Sequence, residues 1–289
     1  ELAPKYPNKR LNIWCNDIDP KKIEILKKVV AIFPQNIQVT MHYQQKDVNT
    51  CLDMLSKENG VSRKIFGYDK ATILYVDPFD FGTVEIPKIS AVLQKHYCEL
   101  LFNFFSSDYI RNIDSDDGRI SKCLGGKSFE GLDKLIEYMR NQLRVGHIKY
   151  LFSYQFRIQT NIELYQIVFA TPNQRGLEKL KDALWNVFNG AEFHRNQTTT
   201  GQMSFFTEKD EENFSLSTYS AKAKSLLCNK FAGQTVSWHD IELYLVEHTM
   251  LKESQILTNV LKPLIETNHV KKCGNCPKNT YKKDCYKFA

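Results

Sequence analysis

Short apolar runs rich in β-branched residues alternate with stretches of helical periodicity over residues 11–187, and this alternation limits the fold more than any other feature. Residues 71–76, Ala71-Thr72-Ile73-Leu74-Tyr75-Val76, form an unbroken apolar run. Such a run suits a strand covered on both faces, as in a parallel sheet. Residues 11–17 and 36–41 read as two earlier strands and 100–104 as a later one. After Asp19 and Pro20, a capping residue and a first-turn proline, Ile23, Leu26, Val29, Val30 and Phe33 recur at helical spacing. Further helices are expected from Asp47, over 87–96 and over 129–144, with a polar loop or insertion over 108–127. Residues 150–158 and 164–171 read as two strands joined by Gln159-Thr160-Asn161, and 173–187 as a closing helix. Strands alternating with helices predict a parallel sheet, to which the hairpin adds one antiparallel strand.

The remainder reads differently. Residues 191–218 are polar and are expected to link a large domain, 1–190, to a small one, 219–289. In the small one, helices are expected over 221–231, from the N-cap Ser237 to about 247, and over 252–266, with Pro263 straining the last turn. Short strands over 269–273 and 281–288 complete a winged helix-turn-helix. The last 23 residues hold six lysines and a single acid, Asp284, in a chain of net charge +6, so the positive charge is concentrated there. Concentrated basic charge points to a polyanion, most often nucleic acid; a solvated lysine-rich surface is the plainer use. The third helix would offer Lys252, Gln255, Thr258, Asn259 and Lys262 to a major groove, and the wing Lys271, Lys272, Lys282 and Lys283 to phosphates. A winged helix also serves as a protein-interaction module.

No apolar run reaches the roughly 18–20 residues that span a bilayer. With 42% hydrophobic and 25% charged residues the chain is expected to be globular, and the eight cysteines are expected to be mostly reduced in the cytoplasm. Cys273, Cys276 and Cys285, with His269, invite comparison with a zinc site, but the spacing is not that of a zinc ribbon and no metal is expected.

In open α/β sheets, ligands bind beyond the carboxyl ends of the strands. Asp17 or Asp19 follows the first strand, where a carboxylate can accept from ribose hydroxyls, and Asp47 follows the second, where it can accept from an adenine amino group. Helix capping is the competing use of Asp19 and Asp47. Asp77-Pro78-Phe79, after the third strand, resembles the Asp/Asn-Pro-Pro-aromatic motif of amino-methyltransferases, in which the acid and a backbone carbonyl accept from the target NH₂ and the ring stacks on a flipped base. Phe79 stands where that motif has its second proline, and the same tripeptide is a good turn sequence. Asp77 with Asp80 is a thinner basis for a metal-dependent hydrolase.

Strand order and hairpin are those of a Rossmann-like, methyltransferase-type sheet, except that nothing before Leu11 reads as its first strand and Gly-rich turn. About 40–60 residues, the size of a βα unit, are expected to be missing or replaced. Tyr75-Val76-Asp77-Pro78-Phe79-Asp80-Phe81-Gly82, Leu100-Leu101-Phe102-Asn103-Phe104, Val168-Phe169-Ala170-Thr171 and Asn16-Asp17-Ile18-Asp19 resemble the bacterial three-Cys-motif partner (TcmP) family, as does the C-terminal module. The resemblance implies a bacterial protein with an S-adenosylmethionine-binding scaffold, a partner protein carrying three clustered cysteines, and a role in phage defence. Two functions follow as expectations: a methyltransferase acting on nucleic acid, or a catalytically inactive adaptor that binds DNA and the partner.

Overall fold

A computed structural model describes residues 8–32, 38–67, 69–79, 81–112, 118–158, 162–188, 193–194, 208–273 and 284–289. It holds β1 (Leu11–Asn16), α1 (Pro20–Ile32), β2 (Val39–Gln44), α2 (Val48–Leu55), α3 (Gly60–Ile65), β3 (Ile73–Val76), α4 (Ile86–Lys95) and β4 (Glu99–Phe104). These are followed by α5 (Ser106–Asn112), α6 (Arg119–Cys123), α7 (Leu132–Leu143), β5 (Tyr150–Ile158), β6 (Ile162–Thr171), α8 (Gln174–Phe188) and β7 (Phe193–His194). The fold is mixed α/β. Five strands form one sheet in the order β3-β4-β6-β5-β7, with β3 parallel to β4 and β6 antiparallel to both of its neighbours. The hairpin therefore supplies the antiparallel strand, inserted between β4 and β5.

β1 and β2 form a separate, parallel, two-stranded sheet. Successive side chains of a strand point to opposite faces. Tyr43 points toward α1, whose Lys27 lies over its ring at 5.7 Å, and Gln44 points toward α2, where it meets Cys51. The two helices thus cover opposite faces. α2 packs on α4, so these two share a face. β3 lies at the free edge of the five-stranded sheet, and β1 and β2 stand as a sheet of their own.

This edge position explains a departure from the sequence reading. The run 71–76 was expected to be covered on both faces, yet Ile73 is 63% and Tyr75 56% exposed, and only Val76 is fully buried. α1 departs likewise. Ile23 is buried, but Ile25, Val29 and Ile32 form an exposed apolar stripe. Other differences are local. β2 begins at Val39 rather than at 36. Helices α5 and α6 occupy parts of the expected loop 108–127, with Tyr109 donating to the Phe129 carbonyl at 2.6 Å.

Two cores result. Val76, Ile89, Leu100, Phe102, Leu135 and Met139 pack on one face of the larger sheet beneath α4 and α7. The other face, through Phe152, Tyr154 and Phe169, packs on α8 and on a C-terminal module. That module comprises α9 (Glu208–Phe231), β8 (Thr235–Ser237), α10 (Trp238–His248), α11 (Glu253–Ile256), α12 (Lys262–Glu266), β9 (Val270–Cys273) and β10 (Cys285–Phe288), its three strands in antiparallel order β8-β10-β9. α9 begins well inside the segment expected to be a linker. Residues 257–261 form a π-turn between α11 and α12, in which Lys262 N–H donates to the Leu257 carbonyl. Pro263 has no N–H to donate, and the widened turn ahead of it absorbs the strain expected at this helix end.

α8 binds the module with polar side chains. Lys181 is fully buried, donates to the carbonyls of Thr249 and Leu251 at 2.8 Å each, and lies over the Phe152 ring. One turn on, Trp185 Nε1 donates to the Met250 carbonyl at 2.7 Å. Arg144 of α7 forks onto Glu247 of α10, whose Oε1 also accepts from Leu151 N–H. Lys181→Met keeps the aliphatic stem but leaves two buried carbonyls without donors. Its unfolding free energy in urea should fall by about 2–4 kcal/mol, whereas Ile25→Glu on the exposed stripe should change it by no more than about 0.5 kcal/mol.

Candidate functional site

Three loops meet at the carboxyl ends of the parallel strands. Asn16 Nδ2 donates to the Lys46 carbonyl, and Gln45 Nε2 to that of Ile18, which ties the loop after β1 to the loop after β2. Asn49, in the first turn of α2, donates to the Thr83 carbonyl and accepts from Glu85 N–H, which ties the loop after β2 to the loop after β3. The expected acids at these ends thus lie on one connected rim.

Their carboxylates are engaged locally. Asp17 Oδ1 accepts from Asp19 N–H at 2.8 Å and its other oxygen lies 3.6 Å from Lys22 Nζ. Asp19 Oδ1 accepts from Lys21 N–H at 2.8 Å. Asp47 caps α2, accepting from Thr50 N–H and from its hydroxyl, and the backbone bond holds its carboxyl below the usual range. The capping use weighed from sequence is therefore realised at Asp19 and Asp47. The turns after β1 and β2 contain no glycine.

Asp77, Pro78 and Phe79 take three different positions. Pro78 is buried and anchors the turn, Asp77 is exposed, and Phe79 stands 90% exposed. Asp77 Oδ1 accepts from Asn103 Nδ2 at 2.6 Å. The same amide nitrogen donates to the Tyr75 hydroxyl at 3.3 Å, and Tyr75 hydrogen-bonds Asp77 in turn. Burial pushes the Tyr75 and Tyr165 hydroxyls above the ordinary tyrosine range, and the neighbouring Asp77 charge adds to it. Asn103 Oδ1 is buried and without a hydrogen-bond partner. Tyr165 stacks on Phe156 at 4.6 Å and lies 5.7 Å from Phe105. A carboxylate, an oriented amide and two phenols thus share one aromatic-lined sheet face. Asn103, Tyr75 and Tyr165 were missed from sequence; the signal available was one amide in the otherwise apolar run Leu100–Phe104.

The basic residues of the C-terminal module divide. Lys252 faces α8, 3.7 Å from Asp182 and over the Trp185 ring, so it does not join an outward basic surface. Gln255 accepts from Lys252 N–H, and Asn259 donates to the Gln255 carbonyl, so both amides serve their own helix. Thr258, Lys262 and Lys271 are exposed, while Lys272 pairs with Asp284 at 2.9 Å. Lys271 stands directly across from Lys287, and neither makes an ion pair among the described residues. Cys285 is disulfide-bonded, so its sulfur is not a thiolate available to a metal; Cys273, directly across the strand pair, is free. This disulfide differs from the free-thiol reading of the wing. Cys276, Asp80, Lys282 and Lys283 lie outside the described residues.

No protein-family model and no curated protein matches the chain. Among solved structures, it is similar to a variant of LepI in complex with SAH and a substrate analogue, at 14% identity and a TM-score of 0.29. It is also similar to LepI in complex with SAM, at 14% identity and TM-score 0.28, and to a pericyclic reaction enzyme, at 13% identity and TM-score 0.28. Each likeness covers 59% of this chain, which spans about two fifths, 39%, of the other. Among the described residues, no helix is long and apolar enough to cross a membrane.

Replacing Asp77 by Asn removes the charge beside the two phenols but leaves their burial. The Tyr75 hydroxyl should then titrate at lower pH than in the parent protein, read by site-resolved NMR. An unchanged titration would mean that Asp77 does not face Tyr75 in solution.

Proposed function

We propose that this protein is an S-adenosylmethionine-dependent, methyltransferase-like protein that acts on or with nucleic acid, in the setting of phage defence that the TcmP resemblance implies. The observation that carries the reading is the Asp77–Asn103–Tyr75 cluster beside the bare Phe79 ring. Asp77 keeps an exposed carboxylate edge that can accept from an amino group, and Phe79 offers a face on which a flipped base can stack. Asn103 and Tyr75 orient the carboxylate. S-adenosylmethionine would supply the electrophilic methyl group. Among the described residues, those present suit one half of it: Asp19 lies on the loop tied to that of Asp47, where it can face ribose hydroxyls, while the turns after β1 and β2 hold no glycine for the amino-acid half. No catalytic step is therefore assigned to residues around the cofactor.

The order of the C-terminal module, α9, β8, α10, then α11 and α12 joined by the π-turn, then β9 and β10, supports the winged helix reading. Of the expected contacts with nucleic acid, Thr258, Lys262 and Lys271 are kept and Lys287 joins them, while Lys252, Gln255, Asn259 and Lys272 are set aside. A three-Cys-motif protein remains the proposed partner. The engagement of Asp17 within its own turn and of Asp19 and Asp47 as helix caps favours the second reading, a catalytically inactive adaptor that binds DNA.

Transfer of labelled methyl groups from S-adenosylmethionine to duplex or single-stranded DNA or RNA separates the two. The enzyme reading expects transfer that Asp77→Ala abolishes; the adaptor reading expects none. Both expect that Lys262→Glu with Lys271→Glu weakens nucleic-acid binding by at least tenfold and makes it less salt-dependent. Unchanged binding and salt slope would contradict the nucleic-acid reading.

A further inference from the structure

β9 and β10 bring together two cysteines of different state. Cys285 is fully buried and disulfide-bonded, whereas Cys273, directly across the strand pair, is a half-buried free thiol. Their backbones form a hydrogen-bonded pair. Ala289 N–H donates to the His269 carbonyl at 3.0 Å, one step beyond the register that sets Phe288 against Val270. On the other side of β10, Phe288 N–H donates to the Gln234 carbonyl, and the Asp284 carbonyl accepts from Trp238 N–H, both at 3.0 Å. Residues 284, 286 and 288 thus bond toward β8, and 285, 287 and 289 toward β9. In an antiparallel pair of this kind the Cα atoms stand about 5.5 Å apart and the side chains share a face. A disulfide spans Cα separations of roughly 4.4–6.8 Å, so a Cys273–Cys285 bond fits the existing pairing.

Other thiols of the described residues are poor attackers by comparison. The thiolate is the reactive form of a cysteine. Burial raises the thiols of Cys15, Cys51, Cys98 and Cys228, that of Cys98 to about 12. Cys123 is buried, and its Sγ donates to the Gly82 carbonyl at 2.9 Å. Cys273 lies in the last residue of an exposed strand end, with its Sγ 3.5 Å from the Lys271 carbonyl.

We propose that Cys273 and Cys285 form a thiol–disulfide relay within the C-terminal module. The Cys273 thiol passes its proton to solvent, and the thiolate attacks Cys285 Sγ. The Cys273–Cys285 bond forms as the bond that Cys285 already holds breaks, and the displaced sulfur departs as the new thiolate. One disulfide and one thiolate stand on each side, so neither oxidant nor reductant is consumed. The relay gives the strand pair two covalent forms. In one, Cys285 is tied elsewhere and β9 is joined to β10 by hydrogen bonds alone. In the other, the two strands are cross-linked, and the facing lysines Lys271 and Lys287 are held two residues from the cross-link.

The test is disulfide mapping of the full chain by mass spectrometry. The protein is equilibrated without reductant at about pH 8, quenched in acid, where exchange stops for want of thiolate, and alkylated before digestion. The parent should show two linkages of Cys285, one of them to Cys273. Each form, separated in acid, should return to the same mixture at about pH 8 and stay as separated at about pH 4. Cys273→Ser should keep a single linkage, and Cys285→Ser should leave Cys273 fully alkylated. A parent in which Cys285 has one linkage and Cys273 is always alkylated would overturn the relay. So would a Cys285 recovered as a free thiol, or two linkages that do not interconvert at pH 8.

Discussion

Lys181 joins the two halves of the fold. One face of the five-stranded sheet is covered by α4 and α7, which belong to the same α/β unit. The other is covered by α8 and by a module whose core residues come from the last third of the sequence. A buried lysine is tolerated only when its donors are satisfied, and here two carbonyls of the turn between α10 and α11 satisfy them. Trp185, one helical turn along, fixes the carbonyl between those two. Three consecutive carbonyls of one turn are thus held from a single helix face, and the aromatic floor of the sheet, Phe152, Tyr154 and Phe169, is closed beneath them.

Much of this order is legible in periodicity. Strands β1 to β6 and helices α1, α2, α4, α7 and α8 follow the apolar runs and helical stripes of the sequence, and Ser237 caps α10 as its position suggests, whereas α3, α5 and α6 were not expected. What periodicity cannot give is which apolar residues find cover. Ile73 and Tyr75 belong to an apolar run, yet β3 ends its sheet and they face outward. Val29 fits the helical stripe, yet the helix it sits on covers only a two-stranded sheet. The polar side of α8 is misleading in the opposite direction. Gln174 and Lys181 are polar, yet they are the groups of α8 that bond to the module.

The candidate site shows the same division. Asp77 was singled out because Asp77-Pro78-Phe79 resembles a methyltransferase motif; its partner Asn103 lies in a strand 26 residues away and becomes visible only when β3 and β4 pair in register. The acids at the ends of β1 and β2 lie on the rim, and Asp19 and Asp47 serve the backbone there, as N-cap chemistry predicts. In the C-terminal module the basic residues divide: Lys252 and Lys272 pair with Asp182 and Asp284, while Lys262, Lys271 and Lys287 are among the exposed lysines of the described residues.

The most direct measurement is calorimetric titration of the protein against S-adenosylmethionine and S-adenosylhomocysteine. The account predicts micromolar binding that Asp19→Ala or Asp47→Ala removes while the protein stays folded. Absence of binding by the folded protein would contradict the cofactor-dependent reading and leave the adaptor.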